Sequence, residues 1–254
     1  MLLAIDLGNT NLTIGLYNGA ALGPHWRLAT DHNRMPDEYG IQITSLLEHY
    51  NVEHHELTGI VLSSVVPPLT YRIVEACQQY LHTEPLIITP NLQLGITIAY
   101  EDPNAVGADR IADAVAVNTF YGGPACIIDF GTATTFNALT KDGVYLGGAI
   151  TAGLGLSSEA LFSHAAKLPR VELKEPPAII GRNTIHALQS GLVYGYASMV
   201  IGMIERFKKE MGDDIKVIAT GGLVGLIAPH VPAIQIRSPW LTLDGLRILW
   251  ENNH

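Results

Sequence analysis

A short pattern occurs twice in this chain. Residues 3–10 read LAIDLGNT and residues 126–133 read CIIDFGTA. Each is an apolar run ending in Asp, an apolar residue and Gly, followed by short polar residues. Asp6 and Asp129 stand 123 residues apart in a chain of 254, close to half its length. Each pattern runs on into a second apolar stretch, LTIGLYNG and TTFNALTKDG, which closes on Asn18-Gly19 and Asp142-Gly143. Those dipeptides favour tight hairpin turns, because the turn needs positive φ at its centre. The repeat therefore predicts two related halves, residues 1–120 and 121–254, each opening on a β-hairpin.

After each hairpin the period changes from two to about 3.6. Tyr39, Ile43, Leu46, Leu47 and Tyr50 follow Pro36-Asp37 at helical spacing, and Leu69, Ile73, Cys77 and Tyr80 mark a second helix behind the break at VVPP. GIVLSSV at 59–65, PLIIT at 85–89 and KVIAT at 216–220 read as buried strands. GADRIADAVAVNTF at 107–120, residues 155–166 and residues 183–210 read as helices, with a short one after Gly221-Gly222. Strands alternating with helices in two similar halves predict an α/β fold with mixed sheets.

Charge narrows the partners. The 24 acidic residues outnumber 15 Lys and Arg, giving a net charge of −9, and no basic cluster offers a stripe for a phosphate backbone, so nucleic acid is not expected. From Ala187 to Ile204 there is no Asp, Glu, Lys or Arg, which reaches the length of a membrane span. Gln189, Ser190, Ser198, three glycines and two tyrosines make a buried helix the better reading, and no membrane is expected. An acid at position 6 is incompatible with the apolar region of a signal peptide, and Cys77 and Cys126 read as reduced, buried thiols. A cytoplasmic location is expected. The ten histidines form no HxxxH or HExxH pair, so no zinc site is expected, and no GxSxG elbow surrounds Ser63-Ser64.

Two constellations carry chemistry. In the paired D-x-G loops, Gly8 and Gly131 let backbone N–H groups approach a phosphate, while Asn9, Thr10, Asn11, Thr132, Thr134 and Thr135 add short polar groups. A carboxylate beside a polyphosphate repels it unless a cation lies between, so Asp6 and Asp129 imply bound metal. The GxxxxGK[ST] loop is absent. The second constellation is Gly107-Ala108-Asp109-Arg110. Two small residues leave room for a ligand, Asp109 can accept a hydroxyl proton and Arg110 can grip an anion.

The double hairpin resembles the phosphate-binding pair of the actin and hexokinase ATPase superfamily. DLGNTN at 6–11, GADR at 107–110, DFGTATT at 129–135 and GRNT at 181–184 resemble, in order and spacing, the motifs of type III pantothenate kinases. The resemblance implies two ribonuclease H-like, actin-like ATPase halves with mixed five-stranded sheets and flanking helices. It implies an enzyme that phosphorylates pantothenate with ATP in coenzyme A biosynthesis, as a homodimer. Carried over, Asp6, Leu7, Gly8, Asn9, Thr10, Asn11, Leu12 and Thr13 would bind ATP, with Asp6 on Mg²⁺ and Thr132 also on ATP. Asp129 would bind a monovalent cation, K⁺ or NH₄⁺. Tyr100 and Gly107, Ala108, Asp109 and Arg110 would hold pantothenate, with Asp109 as general base, and Thr184 would contact substrate across the dimer interface. Ala152 stands where the family usually has proline. Gly191, Gly195, Ser198 and Gly202 give one helix a smooth face open to close packing, either on a second copy or on a helix of the same chain. Regulatory proteins of the Bvg accessory factor type share the pattern and would bind ligand as a signal. The intact Asp109 favours the kinase.

Overall fold

The computed structural model describes residues 1–254. In chain order the strands and helices begin with β1 (Leu2–Leu7), β2 (Asn11–Asn18), β3 (Ala21–Ala29), α1 (Pro36–His49), β4 (Gly59–Ser64), α2 (Pro67–Leu81) and β5 (Leu86–Ile87). The middle of the chain supplies β6 (Thr97–Ile98), α3 (Ala108–Phe120), β7 (Ala125–Phe130), β8 (Ala133–Leu139), β9 (Val144–Ala152) and α4 (Leu154–His164). Then come α5 (Thr184–Ser190), a π turn (Gly191–Gly195), α6 (Tyr196–Met211), β10 (Lys216–Thr220), α7 (Val224–Ile227), β11 (Ile236–Arg237) and α8 (Leu241–Asn252). The two D-x-G hairpins, the helices after them and the strand KVIAT lie where the sequence periods put them.

The chain forms two compact units. The first comprises Met1–Ile96, Glu101–Ala116 and Leu241–His254, the second Thr97–Tyr100 and Val117–Trp240. Their sheets share one topology. The first has the order β3-β2-β1-β4-β5 and the second β11-β10-β7-β8-β9-β6, which is the same arrangement with β6 added beyond β9. The second sheet is thus six-stranded rather than five. In each, the hairpin strands pair antiparallel and the following strand joins in parallel, the mixed pattern that needs a crossover connection.

Strand alternation sorts each sheet into two faces. In the first unit, Leu3, Ile5 and Leu7 of β1 and Ile60 and Leu62 of β4 enter a core with Tyr39, Ile43, Leu69 and Ile73 of α1 and α2. In the second, Cys126, Ile128 and Phe130 of β7 meet Val193, Tyr196, Val200 and Ile204 of the long helix. Both aspartates fall on the opposite faces, because each occupies the alternate register. Cys77 and Cys126 are free and buried, and burial pushes both thiols up to about 12.

The last helix joins the first unit although it follows the second in sequence. Its docking is close. A Cβ at Gly59 would lie 2.0 Å from the Trp250 ring, one at Gly15 2.8 Å from Leu243, and one at Gly245 2.0 Å from the Ala112 carbonyl oxygen of α3. The Tyr17 hydroxyl donates to Asp244 Oδ1 at 2.8 Å. The helical run Thr184–Met211 is, by length and hydropathy, able to cross a membrane. It packs instead as a core helix of the second unit, with Leu192, Val193, Tyr196, Val200 and Ile204 buried.

Candidate active site

In the first unit the β1–β2 turn closes on itself. The Gly8 N–H donates to the Asn11 carbonyl at 2.9 Å, and the Thr30 hydroxyl donates to the Gly8 carbonyl at 2.7 Å. A Cβ at Gly8 would come 3.2 Å from the Asn11 carbonyl oxygen, so glycine keeps the turn tight. Asn9, Thr10 and Asn11 are exposed. Leu7 and Leu12 are wholly buried in the core, so only their backbone can serve a ligand. Asp6, half-buried, stands in register between Thr13 of β2 and Ser63 of β4.

The start of α3 lies at the same end of this sheet. The Val65 N–H donates to the Leu7 carbonyl at 3.1 Å, and a Cβ at Gly107 would meet the Val65 side chain at 3.4 Å and Asp109 Oδ1 at 2.5 Å. Gly107 therefore makes room for the Asp109 carboxylate. That carboxylate accepts the Arg110 backbone N–H at 2.8 Å, which holds it at the first turn of the helix. Burial raises the Asp109 pKa above its ordinary 3.8, against the lowering by the Arg110 N–H and guanidinium. Part of its surface stays open. The result is a fixed carboxylate with a strengthened basicity, suited to taking a proton from an alcohol.

In the second unit two glycines frame Asp129. A Cβ at Gly131 would lie 3.2 Å from Oδ2, and one at Gly221, whose φ is +92°, 2.3 Å from Oδ1. Gly221 is thus required twice, for its backbone angle and for the carboxylate beside it. Nothing local in KVIATGG reveals the carboxylate that Gly221 has to clear. Thr132 remains partly open, and its carbonyl accepts the Gly153 N–H at 3.1 Å. Thr134 does not offer a free group to a ligand, contrary to the sequence reading, whereas Thr135 pairs with Asp129 and shares its face of the sheet. The Thr134 hydroxyl is bonded to the Tyr196 hydroxyl, and Thr135, also buried, accepts from Asn137 at 3.1 Å. The alternation that places Phe136 in the core already assigns Thr134 to that side.

Tyr100 and Thr184 also belong to the second unit. The Tyr100 ring lies over Gly147, 2.9 Å from where a Cβ would be, and is 38% exposed. Thr184 opens α5 behind the N-cap Asn183, whose side chain accepts the His186 N–H at 2.8 Å. Gly181 fits under that helix, since a Cβ would come 2.3 Å from the Ala187 nitrogen. In GRNT, then, Gly and Asn build the helix start and leave Arg182 and Thr184 exposed. No group of three or more His, Cys, Asp or Glu converges as a metal cage. A single carboxylate such as Asp6 suits Mg²⁺, which keeps waters and takes phosphate oxygens for its other positions.

Comparison with known proteins fits this geometry. A family model for type III pantothenate kinase matches residues 2–206. The type III pantothenate kinase of Moorella thermoacetica is 50% identical over 253 residues, covering 100% of both chains. Among solved structures, a conserved Campylobacter jejuni protein assigned to the Baf family of transcriptional activators aligns at TM-score 0.59 with 21% identity, over 99% of this chain and 98% of that one. A polyphosphate/ATP-glucomannokinase from Arthrobacter aligns at 0.54 with 15% identity, over 100% and 99%. These two share the fold alone, an α/β architecture of actin and sugar-kinase type. The whole-length relative, the family match and the four motifs agree: this chain is a kinase and belongs to the type III pantothenate kinase family.

Proposed function

We propose that the enzyme transfers the γ-phosphate of ATP to the primary hydroxyl of pantothenate, the first step of coenzyme A biosynthesis. The observation that carries the residue assignment is Asp109: a partly buried carboxylate, raised in pKa and held by the Arg110 N–H, at the end of the sheet that carries the β1–β2 turn. Asp109 takes the hydroxyl proton as the oxygen attacks the γ-phosphorus, and the Arg110 guanidinium holds the pantothenate carboxylate. Gly107, Ala108 and Tyr100 hold the substrate, and Thr184 reaches it across the dimer interface.

Backbone N–H groups of residues 7–12 and the side chains of Asn9, Thr10, Asn11 and Thr13 hold the ATP phosphates, with Thr132 a further contact. Asp6 holds Mg²⁺, which when bound neutralises phosphate charge. Asp129 holds a monovalent cation, K⁺ or NH₄⁺, in the frame of Gly131 and Gly221. The protein works in the cytoplasm as a homodimer built on the second unit. Nine of its fifteen exposed large apolar residues lie between 146 and 201, Ile150, Ile179, Ile180 and Ile185 among them, and apolar surface on this scale marks an interface. A Cβ at Gly191 or Gly195 would meet nothing within 4 Å, so this face packs on no other helix of the chain.

The test is ADP release with ATP, Mg²⁺ and pantothenate, in K⁺ and in Na⁺. Turnover that needs pantothenate and K⁺ supports the proposal. ADP formed without pantothenate, or ligand bound with no turnover, would replace it with another ATPase or with a regulatory ligand-binding protein.

A further inference from the structure

Three buried side-chain polar atoms lack any hydrogen-bond partner: Thr44 Oγ1, Ser63 Oγ and Arg247 Nε. Only Ser63 neighbours a residue of the site. It is fully buried and pairs in register with Asp6 across the parallel β1–β4 ladder, so the two side chains share a face of the sheet. Ser64, on the other face, is already engaged, with its hydroxyl 2.7 Å from that of Thr70. Buried hydroxyls almost always find partners, and an orphan beside a functional carboxylate calls for a reason.

We infer that Ser63 is a positioning residue for Asp6, donating its hydroxyl hydrogen bond to the carboxylate when Mg²⁺ and ATP engage it. Adjacent strands lie about 4.8 Å apart, so rotation of the Ser63 side chain between staggered wells brings its oxygen within reach of the carboxylate. One Asp6 oxygen then faces the cation and the other is fixed by Ser63, the outer-layer arrangement that orients metal-binding carboxylates. The second sheet repeats the design. Thr220, also buried, pairs in register with Asp129 across the parallel β7–β10 ladder. A hydroxyl residue thus stands at the matching position beside each aspartate. The inference rests on the assignment of Asp6 to Mg²⁺.

Titration calorimetry of ATP binding, with Mg²⁺ and with EDTA and without pantothenate, tests it on the full chain. The variants are Ser63→Ala, Ser63→Cys, Ser63→Thr and Asp6→Asn. Ser63→Ala should cut the affinity gained from Mg²⁺ by about tenfold or more and leave affinity in EDTA unchanged. Ser63→Cys, nearly equal in volume but a weak donor, should follow Ala, and Ser63→Thr, which keeps the hydroxyl, should stay close to wild type. A full Mg²⁺ gain in Ser63→Ala alongside its loss in Asp6→Asn overturns the role of Ser63 and leaves Asp6 standing. A full gain in both removes Asp6 from the metal as well. Loss in Ser63→Ala with none in Asp6→Asn, or equal impairment of Ser63→Thr and Ser63→Ala, also overturns the inference, because the hydroxyl then acts elsewhere or only packs.

Discussion

At the residue scale the site is defined by carboxylates placed where burial and backbone work against each other. Asp109 shows this most clearly. Its folded pKa lies above 3.8 because burial outweighs the Arg110 N–H and guanidinium. A raised pKa means that Asp109 favours folding fully only below its unfolded pKa, and that this contribution is lost as pH rises through the folded pKa. At neutral pH the ionised carboxylate therefore costs stability. Asp109→Asn keeps an oxygen for the Arg110 N–H and removes the buried charge. It should raise Tm at pH 7, by about 2–4 °C for each kcal/mol recovered, and the gain should shrink as pH falls. The same change should lower kcat about 10²–10⁴-fold if Asp109 is the general base. Thermal melts from pH 4 to 8 and the ADP assay check both; a variant less stable at every pH would refute the account of burial. The candidate residues of this site were legible in the sequence because their chemistry is local, an Asp-x-Gly turn or an Asp after two small residues. Gly221 and Ser63 were not, since each matters through a strand pairing that joins distant segments. Extending the self-comparison to IVLS at 60–63 and VIAT at 217–220 would have aligned Ser63 with Thr220.

At the element scale, α8 shows how a segment far along the chain can belong to the opening unit. Its apolar residues predict a helix, yet its partners, Gly15, Gly59 and Ala112, are glycines and a backbone carbonyl that carry no sequence signal for docking. One polar contact fixes its register, the Tyr17 hydroxyl on Asp244. Burial raises the Asp244 pKa, and the Tyr17 hydrogen bond is the largest influence in the other direction, with the Arg247 charge behind it. Tyr17→Phe removes the bond and leaves the carboxylate to its burial. The loss should be about 1–3 kcal/mol at neutral pH. It should be smaller below the raised Asp244 pKa, where a neutral carboxyl needs the donor less. Urea denaturation of both proteins at pH 7 and pH 4 measures it, and an equal loss at the two values would show that the hydroxyl serves packing alone. Because β1 and β2 carry both the Asp6 loop and the surface under α8, stability and the site share the same strands.

At the scale of the whole molecule, the repeated sheet accounts for most of what could be read in advance. Two copies of one topology place Asp6 and Asp129 at matching positions, and the sequence repeat announced this because hairpin turns and alternation are written in neighbouring residues. Assembly is written differently. The stripe Gly191, Gly195, Ser198 and Gly202 left two readings open, and the open space at Gly191 and Gly195 removes packing within the chain as their explanation. Gly195→Leu separates folding from assembly. Leu is a better helix former than Gly by roughly 0.5–1 kcal/mol, and its side chain enters empty space, so the monomer should melt no lower than wild type. The bulk placed on the smooth face should nonetheless block close approach of a second copy. Sedimentation should show wild type as a dimer and Gly195→Leu as a single chain, with pantothenate turnover reduced in the variant because Thr184 then lacks its place across the interface. A wild type that sediments as one chain refutes the dimer. A Gly195→Leu protein that stays dimeric moves the interface off this helix, toward Ile150 and the 179–185 segment.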